Sequence, residues 1–324
     1  TLETPPGSAL ELRQRVTVLG LGGSLVPAAP DPFRASGPDD LRWSAETSTL
    51  VTVDGDLERG DVIDIVSASP RPSPADLGAA TSTNPGDAIY TELPNDLPAV
   101  VADTARQVTA GARNSYEAAR LLQGWFQREF EYSLEIQAGH GSNAIESFLR
   151  QRVGYCEQFA GTFAAMMRTL GVPARVAVGF TYGIETEPGV FLVQGRHAHA
   201  WPEVWFDGIG WIGFEPTPGR GAPGAEDYTG LEAQQDPTGT ESGESDTADG
   251  EVPPITVDPN VPDDQGLVIP DFGDSTNDGS PPATTGAGTD EPGITGWWLA
   301  AAAGVAALAA APLLVRRSLS LIHI

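Results

Sequence analysis

A break in charge near residue 220 divides this 324-residue chain into a part that can bury a core and a part that cannot. Residues 221–293 hold 17 Asp and Glu with no Arg or Lys, among many Gly, Pro, Ser and Thr. So few periodic apolar residues cannot offset the entropy of ordering, and like charges extend the chain. The stretch is expected to be a disordered acidic linker. Residues 294–315 then run without charge for 22 positions, open on Trp297-Trp298 and lead into Arg316-Arg317. That length crosses a hydrocarbon core of about 30 Å. The aromatic pair suits the outer interface and the arginines the cytoplasmic flank, leaving 316–324 as a short cytoplasmic tail. A single transmembrane helix would hold everything before residue 294 outside the cytoplasm. Thr1 opens the chain without Met or a signal pattern, and only nine residues follow the span, so both ends read as cuts in a longer protein.

Folding is therefore confined to what lies upstream. Apolar or alternating runs at 10–19, 41–53 and 61–67, set between Gly, Pro and Asp clusters, predict a small β-rich region over 1–75. Helices are expected near 97–112 and 114–130. The second carries Ala119, Leu122, Trp125, Phe126 and Phe130 at helical spacing, a core stripe. His140 falls in a loop leading to a helix over 143–150. Up to residue 220 the chain holds 27 acids against 16 Arg, which argues against a nucleic-acid partner.

One cysteine, Cys156, stands in Gly154-Tyr155-Cys156-Glu157-Gln158-Phe159-Ala160. It has no disulfide partner in the chain, and its compartment makes a lone thiol unusual. Residues 155–170 read as a helix burying Phe159, Phe163, Met166, Met167 and Leu170, so Cys156 occupies its first turn. There the macrodipole favours an anionic thiolate, whereas an inert cysteine belongs mid-helix on the apolar face. Strands are expected at 174–180, 190–194, 197–206 and 211–215, with Gly195-Arg196 as a turn. Two-residue alternation puts His197, His199, Trp201, Glu203 and Trp205 on one face of the third, and Ala198, Ala200, Val204 and Phe206 on the other. A thiol nucleophile needs a base within reach and a third group to orient that base. Cys156, His199 and Glu215 supply those parts in chain order, with Glu203 and Asp207 as other candidate orienters. His197, His199 and a third ligand from Cys156 or Glu203 could instead hold zinc, a reading that leaves the helix-start cysteine unexplained.

The motifs Gly-Tyr-Cys-Glu-Gln-Phe-Ala, Gly171-Val172-Pro173-Ala174-Arg175-Val176, His199-Ala200-Trp201-Pro202-Glu203-Val204 and Gly210-Trp211-Ile212-Gly213-Phe214-Glu215-Pro216-Thr217-Pro218 resemble, in order, those of the bacterial transglutaminase-like core. They are similar, more narrowly, to membrane-anchored transglutaminase-like proteins of high-GC bacteria, over roughly 97–220. The resemblance implies a nucleophilic Cys156, a basic His199 and an orienting acid at Glu215, where the family more often has Asp. It also implies an α+β, papain-like core with a helix-borne cysteine packed on an antiparallel sheet. Tyr155 and Gln158 flank the nucleophile and, with Trp201, are candidates to bind substrate. The expected function is an extracytoplasmic, membrane-anchored cysteine enzyme that attacks amide bonds through a thioester and passes the acyl group to an amine or to water. Its substrate would be a protein or peptide amide, cell-wall peptide included, and the chemistry calls for neither metal nor cofactor. A non-catalytic binding or scaffold module of the cell envelope is the alternative on the same fold. All 18 basic residues are Arg, so the chain has no lysine amine for crosslinking itself.

Overall fold

The computed structural model describes residues 9–44, 48–83, 85–135 and 142–235. His140, the linker beyond Gln235 and the expected span at 294–315 lie outside the described residues. No helix among the described residues is long and apolar enough to cross a membrane.

The N-terminal region is β-rich. Its strands are β1 (Ala9–Thr17), β2 (Leu25–Val26), β3 (Pro32–Ser36), β4 (Leu41–Ser44), β5 (Thr49–Thr52) and β6 (Val62–Pro70). They form two antiparallel sheets ordered β1-β6-β3 and β2-β5-β4. Alternation drives the inner layer: Ile63 and Ile65 of β6 are buried and pack with Val18, Val26, Leu50 and Leu57. The run expected over 41–53 is two strands, paired so that Trp43 faces Leu50.

Three helices lead into the second core. In α1 (Pro74–Ala79), Ser73 and Asp76 form a reciprocal capping box. Next come α2 (Ala99–Val108) and α3 (Ser115–Glu129), the latter capped by Asn114 Oδ1 accepting from the Glu117 N–H at 2.9 Å. The expected stripe of α3 is buried at Ala119, Leu122 and Phe126, while Trp125 is partly covered. A short β7 (Glu131–Tyr132), α4 (Ser142–Gln151) and β8 (Val153–Gly154) follow. β7 and β8 run parallel, with Tyr132 opposite Gly154. Phe126, Phe130, Phe148 and Phe159 stack into one aromatic knot, Phe148 to Phe159 at 5.0 Å between centroids. Removing one such ring costs about 3–5 kcal/mol. Gly154 admits the knot: a Cβ there would lie 2.4 Å from Phe148.

The next helix, α5 (Cys156–Thr169), starts on the cysteine itself. Phe159, Phe163, Met166 and Met167 are fully buried and join Val204, Phe206 and Ile212 in one cluster. Those three come from the sheet formed by β9 (Ala174–Phe180), β12 (Ala198–Phe206) and β13 (Gly210–Gly213), antiparallel in the order β13-β12-β9. Between β9 and β12 the chain makes a separate hairpin of β10 (Ile184–Glu187) and β11 (Val190–Leu192).

Three expectations need correction here. The 190–194 run pairs with β10 and not with the 197–206 strand, because Gly183 and Gly189, both at positive φ, turn the chain into a local hairpin. His197 lies outside the strand, in a 3-10 helix over Gly195–His197, so the two-residue alternation begins only at Ala198. The boundary at 221 is too early. Residues 221–235 fold back on the core through α6 (Glu226–Thr229), a Gly221–Gln234 bridge and Gln235, whose amide accepts from Thr181 Oγ1 and the Gly183 N–H and donates to the Gly183 carbonyl. Ala225 and Thr229 supply buried anchors that the acidic composition of the stretch conceals.

Candidate active site

α5 brings Cys156 to the sheet at its N-terminal end, where the first-turn N–H groups have no intrahelical acceptor. The cysteine is partly exposed and carries the only thiol of the chain. Opposite it, β12 presents His199, which is 5% exposed. His199 Nε2 lies 2.6 Å from Glu215 Oε2, and Glu215 is itself buried. Glu215 accepts, so the neutral ring carries its proton on Nε2. Nδ1 is then the lone-pair nitrogen, and it is buried without a hydrogen-bond partner among the described residues. Burial alone lowers the His199 pKa, but the Glu215 charge, the neighbouring Cys156 thiol and the Glu215 hydrogen bond outweigh it and raise it to about 9. The arrangement favours an imidazolium beside the thiol sulfur.

Glu215 lies two residues beyond the end of β13 rather than within the strand expected at 211–215. Its position comes from α3. Gln123, 2% exposed, accepts from the Glu215 N–H at 3.1 Å and donates to the Thr229 carbonyl at 2.9 Å. Gln127 donates to the Glu215 and Thr217 carbonyls, at 2.9 and 2.7 Å. The Thr217 N–H donates to Glu215 Oε1 at 2.9 Å. Neither glutamine stood out in the sequence. The available signal was a pair of amides four residues apart beside an apolar helical stripe.

The other acids are engaged elsewhere. Glu203 accepts from Arg175 Nε at 2.7 Å, directly across β12 and β9, and the Arg175 guanidinium lies 4.4 Å over the Trp211 ring. Asp207 accepts from Trp205 Nε1 and from the Thr81 and Thr83 hydroxyls, tying the segment after α1 to the turn after β12. Its pKa is lowered, chiefly by the Thr81 bond.

The flanking candidates separate. Trp201 lies flat on the sheet, its ring 3.0 Å and 3.3 Å from where Cβ atoms of Gly179 and Gly213 would stand, and stacks on His199 at 6.1 Å and 24°. Tyr155 caps α5, and its phenol is pushed up to about 12 by burial and by the Glu157 and Cys156 charges, so it is neutral and a donor at physiological pH. Gln158 Oε1 reaches back to the Tyr155 N–H at 3.4 Å, an end-of-helix contact that occupies its acceptor. His197 is buried, not exposed to the cleft or solvent as a strand position would suggest. Its Nδ1 accepts from the Gln194 N–H at 2.9 Å, and burial, Arg196 and Arg220 lower its pKa. Among the described residues no group of three or more His, Cys, Asp or Glu could hold a metal ion.

Residues 102–216 match the transglutaminase-like superfamily model. Protein YebA of Bacillus subtilis (strain 168) is 30% identical over 139 residues, which is 40% of this chain and 19% of that protein. A protein-glutamine gamma-glutamyltransferase of Pseudomonas aeruginosa is 36% identical over 125 residues, 38% of this chain and 18% of that one. The chain thus spans about a fifth of the length of these curated relatives. Among solved structures, the periplasmic domain of TgpA from Pseudomonas aeruginosa is similar at a TM-score of 0.52 and 25% identity, covering 66% of this chain and 71% of that domain. Over residues 102–216 the chain is therefore similar, in sequence and in fold, to the transglutaminase-like superfamily.

Proposed function

We propose that this chain is part of an extracytoplasmic, membrane-anchored cysteine enzyme that acts on amide bonds through a thioester, with Cys156 as nucleophile, His199 as acid and base, and Glu215 as orienter. The observation that carries the reading is the 2.6 Å His199–Glu215 contact, which commits Nε2 and leaves Nδ1 for the thiol at the start of α5. The Cys156 sulfur adds to the carbonyl carbon of a carboxamide or peptide amide. As the C–N bond breaks, His199 Nδ1–H protonates the departing amine, leaving a thioester on sulfur. An amine or a water then attacks the thioester carbonyl, His199 takes up its proton, and the thiolate leaves. Acyl transfer to an amine is the favoured outcome, supported by the similarity to a protein-glutamine gamma-glutamyltransferase. Tyr155 and Gln158, which flank Cys156 in sequence, and Trp201, which stacks on His199, are proposed to contact substrate.

The location is supported by the similarity to a periplasmic domain and by the uncharged run at 294–315 ahead of Arg316-Arg317. An acidic tether beyond Gln235 would let the domain reach protein or cell-wall peptide away from the bilayer. Incubation with iodoacetamide, read by mass spectrometry at Cys156, tests the chemistry. Modification much faster than that of a free thiol, and slowed in His199→Ala, is expected; an unreactive Cys156 in the folded protein would remove the nucleophile. A membrane-impermeant maleimide should label Cys156 on intact cells, and labelling only after lysis would reverse the proposed topology.

A further inference from the structure

Unpaired polar groups are rare inside proteins, and here they gather in one place. Five buried side-chain nitrogen or oxygen atoms have no hydrogen-bond partner among the described residues, and four of them belong to His199, Thr217 and Arg220. Two of the four are Nε and Nη1 of Arg220, a residue only 7% exposed. A guanidinium stays protonated, so it cannot escape a dry site by losing its charge. Leaving such a charge buried without a counter-ion costs several kcal/mol by general estimates, roughly the desolvation of one ion. No carboxylate among the described residues pairs with Arg220 as Glu203 pairs with Arg175.

The backbone holds this side chain in place with some force. The Arg220 N–H donates to the Thr217 carbonyl, one turn from the Thr217 N–H that binds Glu215. On the other side Gly221 and Gln234 exchange two backbone hydrogen bonds of 2.9 and 3.0 Å. A Cβ at Gly221 would stand 1.9 Å from the Glu232 carbonyl oxygen, so only glycine permits this clamp. Arg220 acts electrostatically on both the Tyr132 phenol and His197, whose protonation it disfavours. Tyr132 pairs with Gly154, two residues before Cys156, and feels the Cys156 charge. Arg220 and Cys156 thus both act on Tyr132, which β7 pairs with Gly154 of β8, and Arg220 forms no ion pair with an acid among the described residues.

We propose that Arg220 is the anion-binding element of the acyl-donor site and receives a carboxylate carried by the donor close to the carboxamide that Cys156 attacks. The missing counter-ion arrives with the substrate, which selects donors bearing a free carboxylate over neutral amides. Binding then supplies the charge-assisted hydrogen bonds that the empty site lacks. The inference rests on the proposed cysteine chemistry at this site.

The test uses protection of Cys156 from iodoacetamide by two compounds that differ only in charge, N-acetylglutamine with its free carboxylate and N-acetylglutaminamide without it. In the wild type the carboxylate compound should protect at a concentration about tenfold lower, the usual scale of one charge-assisted pair. Arg220→Gln should bring the two compounds together, and Arg220→Lys should keep part of the difference. Equal protection by both, or none by either, overturns the role of Arg220 while leaving a reactive cysteine in place. A folded protein whose Cys156 resists iodoacetamide altogether overturns the underlying enzyme reading instead. If neither variant folds, the wild-type comparison alone decides, because it needs no substitution.

Discussion

Two acid–base pairs sit four residues apart on β12, and their contrast explains what makes one of them a site. His199 meets Glu215 at 2.6 Å and Glu203 meets Arg175 at 2.7 Å, both largely out of water. The second pair is closed: Arg175 lies over Trp211, and Asp31 stands near enough that burial and the Glu203 charge raise its own pKa. The first pair is open, with Nδ1 unpartnered and a thiol among the groups acting on the ring. Similar burial and similar distance therefore produce a brace in one case and, in the proposed mechanism, a proton-transfer device in the other. The difference lies in the base, since an imidazole can give up and take back a proton whereas a guanidinium keeps its own.

Breaking the open pair should abolish turnover. Cys156→Ala and His199→Ala are each expected to lower kcat by at least about 10³-fold in an amine-incorporation or amide-hydrolysis assay, with the fold retained by circular dichroism. Glu215→Gln should come next, on the order of 10²- to 10³-fold in kcat, because the wrong tautomer then competes at His199. Glu203→Gln sharpens the contrast from the other side. It strands the Arg175 charge and should cost about 3–5 kcal/mol in denaturant unfolding, yet leave kcat per folded molecule unchanged. A large kcat loss in Glu203→Gln with Glu215→Gln unaffected would exchange the two roles.

Gln123→Leu tests the support beneath the open pair. It orphans the Glu215 N–H and the Thr229 carbonyl, at about 1–3 kcal/mol each, and should lower kcat about tenfold with little change in KM. The smallest effect is on stability against pH. The His199 pKa is raised from 6.5 to about 9 in the folded protein, so its contribution is complete below about 6.5 and fades as the pH rises through 9. Wild-type stability should fall across that window more steeply than that of Glu215→Gln, as followed by thermal unfolding. Parallel curves would mean that Glu215 does not hold the charge on the ring.

Local pattern exposed much of this arrangement in advance. The stripe at Phe159, Phe163, Met166 and Met167 predicts α5 and puts Cys156 in its first turn, and the helix begins there. Of the expected set Cys156, His199 and Glu215, the fold pairs the last two at 2.6 Å. Where the reading failed, the cause was non-local. Gly195-Arg196 reads as a turn joining 190–194 to the next strand, but β11 pairs with β10, because pairing depends on glycines at 183 and 189 that the alternation does not weigh. Residues 221–235 look like the start of an acidic linker, and only burial of Ala225 and Thr229 against the core reveals otherwise.

By itself the sequence determined the elements and the chemical cast, since helical and strand periods are written in neighbouring residues and a thiol, an imidazole and a carboxylate keep their chemistry anywhere. Only the tertiary structure decided which acid serves His199, because Glu203, Asp207 and Glu215 differ in partners and not in kind. It also decided that Gln123 and Gln127 position Glu215 and that Arg220 stands buried without an acid. Those facts depend on where distant backbone groups fall, and hydrogen bonds across about 90 residues of chain leave no period to read.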